Sequence, residues 1–213
     1  MTDTSQVTRH PTPTLVRSMD VTAKAGLLIL LAVALVYPDL GHVRGKAAGL
    51  RAITYPLLAF TVPVIWCLFW RKRASFPWAA DLMVTIPCFT DTLGNRMNLY
   101  DSIIWFDDWM HFMNTGFLTA GVILLTLHRM ASFAATIERG LAFGVTAAVA
   151  WEIAEYFAFI SKSSERRGAY TDTLGDLALG SLGAIVAAAA IHRLWQRGEL
   201  TSAAPQLEAR RTF

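Results

Sequence analysis

Charge is scarce in this sequence. Asp, Glu, Lys and Arg make up 16% of the 213 residues, where a soluble domain carries about a quarter. Hydrophobic residues reach 54% and the mean hydropathy is +0.40, which places the chain in the membrane class. Cysteine is nearly missing. Cys67 and Cys88 lie in apolar stretches without CxxC spacing, which excludes a disulfide framework or a cysteine-based zinc site and leaves packing. Basic helices interleaved with aromatics are also missing, so no nucleic-acid partner is expected. The net charge of +3 comes from short basic clusters between apolar runs, as in loops at an anionic membrane surface. The N-terminus lacks the charged-then-apolar layout of a cleavable signal. Residues 1–20 and 196–213 read as disordered tails around a single transmembrane helical domain, 21–195.

What is present is a series of apolar stretches. A spanning helix needs about 17 to 25 mostly apolar residues, and six stretches qualify, near 21–37, 52–70, 76–92, 103–127, 140–160 and 173–192. The third is interrupted by Pro77, Asp81 and Pro87, and a re-entrant segment is its alternative. The expected fold is an all-α polytopic bundle of about six spans. Lys and Arg are more numerous on the side shared by the two tails, including Arg71, Lys72, Arg73, Arg129 and Arg139, which predicts cytoplasmic tails in an inner or plasma membrane protein.

Alternating span direction brings the strongly polar residues of the C-terminal half to one membrane face. They are Asp91, then Asp107, Asp108 and His111, then Glu152 and Glu155, then Asp172 and Asp176. Asp108 and His111 are three apart and share a helical face, while Asp107, four before His111, is placed to orient the imidazole. Asp107 and Asp108 also fit an interfacial helix start, and Asp172 also fits an N-cap. Glu152 and Glu155 form a same-sign pair inside an apolar helix, which has no comfortable packing role. Asp176 continues through Gly180, Gly183 and Ala187, a small-residue stripe expected to face the bundle.

The last three spans contain no Lys or Arg to neutralise these acids. Carboxylates in that setting must protonate or bind a cation. Acids with one imidazole favour a divalent metal, Zn, Mn or Fe over Cu(I), with Mg or Ca as the alternative if His111 is not itself a ligand. The expected ligands are Asp108, His111, Glu152, Asp172 and Asp176, with Glu155 as a general base. The pentapeptide TDTLG occurs twice, at Thr90–Gly94 and Thr171–Gly175. Its dissimilar flanks argue against duplication, and the second copy is expected to supply the site while the first lines the rim with Asn95, Arg96 and Asp101.

The order "YDSIIWFDDWMHFMNTG", "WEIAEYF" and "YTDTLGDLALGSLGA" resembles the YjdF-like family of bacterial inner-membrane proteins, from Leu99 to Ala190. More distantly it is similar to the VanZ-like membrane proteins. The family's acidic turn usually follows a Gly-Asp pair and a Trp, whereas "SSERRGAY" stands here, and Tyr156 replaces a common Trp after the ExxE. The resemblance implies a polytopic fold with a shared polar core and no particular reaction. Three function classes follow from the residues. The first is a metal-dependent enzyme acting on a membrane lipid or cell-envelope precursor, the second a proton- or cation-coupled transporter, the third a non-catalytic scaffold.

Overall fold

The computed structural model describes residues 11–37, 48–72, 74–158, 160–162 and 168–200. The outer parts of both expected tails, and Arg9, Arg44, Lys46, Arg73, Arg166, Arg167, Arg210 and Arg211 from the charge count, lie outside the described residues. Within them the fold is all-helical. Helix α1 (Thr14–Val36) is followed by α2 (Ala48–Ala59), α3 (Thr61–Ile65) with a π-helical turn (Trp66–Trp70), and α4 (Trp78–Arg96). A short α5 (Leu99–Ser102) leads to α6 (Phe106–Thr126), α7 (Phe133–Ala158) and α8 (Ala169–Gln196).

Helical segments thus occupy all six apolar stretches, with shifted ends. The first begins at Thr14, directly after Pro13, so residues 14–20 are helix and not tail. Pro63 bends the second. Its ring cannot coexist with a straight-helix carbonyl four residues back, at Ala59, and the chain turns by 43° between Gly49–Ala59 and Thr61–Trp70. The third is one uninterrupted 19-residue helix despite Pro87. Asn98 then takes the left-handed conformation, φ 57°, which Asn tolerates better than most residues, and turns the chain toward α6.

Among the described residues three helices, α1, α7 and α8, are long and apolar enough to cross a membrane, or four segments if the bent pair is one span. Helices α4 and α6 fall short of that test because they carry the polar residues. They also occupy the middle of the bundle, where α6 packs against α8, α4 and α7, and α4 packs against α1. The outer faces present Ile29, Ile53, Leu57, Ile153, Phe157 and Val186, apolar side chains suited to a lipid environment.

The close α6–α7–α8 packing depends on small residues. A Cβ added at Gly180 would meet Thr115 Oγ1 at 3.1 Å, and one at Gly116 would meet the Gly183 carbonyl at 3.2 Å. The inward stripe of α8 runs through Gly180, Gly183, Ala184 and Ala188, which are buried, while Ala187 lies at its half-buried edge. Backbone contact at this distance fixes the depth of each helix against its neighbours.

Candidate metal centre

His111 sits one turn into α6 and is buried among carboxylates from three helices. Its Nε2 is 3.6 Å from Asp107 Oδ1 and 3.7 Å from Asp176 Oδ1. On the other side of the ring, Nδ1 is 3.6 Å from Glu152 Oε1. The ligand atoms of Asp107, His111 and Asp176 lie within 4.8 Å of one another, as do those of His111, Glu152 and Glu155. One imidazole therefore stands between two carboxylate pairs.

These spacings exceed the usual hydrogen-bond range of about 2.7–3.2 Å. The two on Nε2 are close to the edge of a tetrahedron of ligands, about 3.4 Å for metal–ligand lengths near 2.1 Å, so the group could hold an ion. Glu152 adds a second observation. Its Oε2 accepts a 2.9 Å hydrogen bond from Thr173 Oγ1, while Oε1 is fully buried without a hydrogen-bond partner. An orphaned carboxylate oxygen inside a bundle carries a large desolvation cost, and it faces the imidazole.

Of the residues expected from sequence, the structure brings together His111, Glu152, Asp176 and Glu155. Asp108 is exposed on the outer side of α6, and Asp107 takes the position on the imidazole. A four-residue step from Asp107 puts both side chains on one face, so the DxxxH pair and not the DxxH pair meets the site. Asp172 is exposed in the first turn of α8, outside both groups.

The two TDTLG copies are helical, one ending α4 and the other opening α8. Their aspartates have opposite fates. Asp91 of the first copy is buried, and Asp172 of the second is exposed. The second copy serves through Thr173, the donor to Glu152.

Asp91 forms a second polar knot that sequence reasoning placed only at a rim. Its Oδ2 pairs with Arg51 Nη1 at 2.5 Å and accepts from Tyr55 Oη at 2.6 Å, while Oδ1 accepts from Tyr100 Oη at 2.8 Å. Burial, then the Asp91 carboxylate, raises the Tyr100 phenol above its ordinary range, which keeps it a donor. Arg51 is buried in α2. The α6–α8 acids are thus approached by an arginine from outside the last three spans, already committed to Asp91. A cavity of about 110 Å³ joins the two clusters, with Tyr55, Asp91 and Tyr100 on one wall and Asp107, His111 and Glu155 on the other.

Comparison with curated proteins and with solved structures gives no match. Residues 23–197 match the DUF2238 family, described as a predicted membrane protein. That span takes in the apolar helices, the His111 cluster and the Asp91 knot, so the chain belongs to the DUF2238 family of membrane proteins.

Proposed function

We propose that this membrane protein is a metal-dependent enzyme, a hydrolase or transferase acting on a membrane lipid or cell-envelope precursor. In this reading the chain crosses the inner or plasma membrane six times with both tails in the cytoplasm, and the resemblance to YjdF-like proteins extends to this centre. The observation that carries it is the pair of carboxylates 3.6 and 3.7 Å from Nε2 of a buried imidazole, spacings longer than a hydrogen bond and close to the ligand–ligand distance around one ion.

The residues fit such an ion. Asp107 and His111, one turn apart on α6, supply a chelating pair, and Asp176 closes the set from α8. Glu152, which accepts from Thr173, faces the imidazole Nδ1 across 3.6 Å; closing onto Nδ1–H when an ion binds would fix the tautomer that leaves Nε2 free, as carboxylates behind metal-bound histidines do. Asp108 and Asp172, given as ligands by the sequence pattern, serve as exposed acids at the entrance. A nitrogen-and-carboxylate set suits Zn, Mn or Fe, and such an ion supplies Lewis acidity toward a carbonyl or phosphoryl oxygen. Glu155 lines the cavity beside His111 and serves as the general base that removes a proton from the attacking nucleophile. The mostly apolar cavity, bounded by Leu58, Met110, Leu118 and Trp151 with a few polar groups, suits the headgroup end of a lipid.

The test is turnover. Purified protein in vesicles of total membrane lipid extract is chelated, then reloaded separately with Zn, Mn and Fe, and lipid products are followed by mass spectrometry. Metal-dependent products that vanish in Glu155→Gln support the enzyme. No product with any ion contradicts it.

A further inference from the structure

A second buried charge cluster lies between α1 and α4, away from the His111 centre. Asp20 and Lys24 stand one turn apart on α1, and Asp81 and Thr85 one turn apart on α4. All four are buried, and both aspartates are 1% exposed. Lys24 Nζ reaches Asp20 Oδ1 at 2.6 Å, Asp81 Oδ2 at 2.9 Å and Thr85 Oγ1 at 2.7 Å. An ammonium has three N–H donors, so Lys24 is fully used. Thr85 also donates within reach of Asp20 Oδ1 at 3.0 Å and the Asp81 carbonyl at 2.9 Å.

The charges do not balance. Two carboxylates share one ammonium in the described ion pairs, leaving one negative charge where burial makes it costly. The Phe60 ring lies 5.8 Å from Lys24 Nζ, and the exposed Arg17 stacks over Trp78 at 5.6 Å. Asp81 Oδ1 is the unsatisfied atom, fully buried with no hydrogen-bond partner. A metal cation needs about four to six ligand atoms, and one free oxygen offers no such shell. A proton needs one.

We infer that Asp20 and Asp81 form a proton-binding pair, held by Lys24, that carries one H⁺ between α1 and α4. It lies about 15 Å along α4 from Asp91, ten residues at 1.5 Å each. It supplies a second polar layer, between α1 and α4. Leu27, Leu31, Tyr55, Ala59 and Cys88 pack between the two layers, so the proton exchanges from its own end of the bundle. Such intramembrane acids are typical of proton uptake and relay.

The test is infrared spectroscopy of the full-length protein in detergent, chelated so that the metal centre plays no part. The C=O stretch of a protonated carboxyl group is recorded at neutral pH for wild type, Asp81→Asn and Asp20→Asn, with circular dichroism reporting folding. Loss of one protonated-carboxyl band in either folded variant supports the pair. Spectra unchanged in both variants mean that both carboxylates are ionised in wild type, and overturn it.

Discussion

Replacing Gly183 by alanine tests whether backbone contact between α6 and α8 sets the geometry of the centre. A Cβ at this position would run into the Phe112 carbonyl oxygen, with the Phe112 carbonyl carbon at 3.0 Å and Cα at 3.3 Å. These are backbone atoms of a packed helix and cannot rotate away, so the helices must separate. Overpacking costs typically about 1–3 kcal/mol, and a rigid obstacle puts the cost at the upper end. Alanine's better helix propensity returns about 0.5–1 kcal/mol, leaving a net loss of about 2 kcal/mol, or roughly 4–8 °C in melting temperature for a chain of this size. Phe112 follows His111 directly, and Gly183 lies two turns from Asp176, so separation also widens the 3.7 Å gap between those ligands. Bound metal should fall with stability. Gly175→Ala is the control, because nothing lies within 4 Å of its Cβ, and it should hold or raise stability. Thermal unfolding followed by circular dichroism in detergent, with metal content on the same samples, reads both effects. Gly183→Ala melting at or above wild type would refute the packing argument.

Asp107→Asn should strip bound metal while Asp108→Asn retains it, measured as metal per chain after size exclusion. Arg51→Ala leaves Asp91 buried without its cation and should cost about 3–5 kcal/mol. The double variant Arg51→Ala/Asp91→Asn should recover part of that loss in the same melting assay. Tyr100 keeps its proton in the folded chain at a pH where the unfolded chain loses it. Stability should therefore fall as pH rises above about 10, and Tyr100→Phe should blunt that fall in melting curves across pH 8–12.

The class of fold was legible because apolar length is a one-dimensional property. Helical segments stand in all six apolar stretches, and among the described residues three helices, or four segments with the bent pair, are long and apolar enough to cross a membrane. Helix ends were less legible: Pro13 starts α1 a full two turns before the apolar run, since helix formation does not wait for hydrophobicity. Pro87 reads as an interruption of the third stretch, yet α4 continues through it with Pro87 buried. The site was readable to the level of helix and turn. His111, Glu152, Glu155 and Asp176 converge, but the choice between Asp107 and Asp108 depended on a rotation of about 100° per residue, which apolar flanks on both sides do not fix. Arg51 and Lys24 were missed as partners because pairing across helices 40 and 57 residues apart, Arg51 with Asp91 and Lys24 with Asp81, leaves no local trace. The Asp20–Lys24 spacing of four was a local signal. Read as a salt-bridged helix face, it would have pointed to an inward charge.

The most direct test of the metal centre is the metal content of the protein purified in mild detergent, by elemental mass spectrometry, beside Glu152→Ala/Asp176→Ala. About one equivalent of Zn, Mn or Fe per chain in wild type, lost in the folded variant, is the expected result. A metal-free wild type, or a variant that keeps its metal, would contradict it.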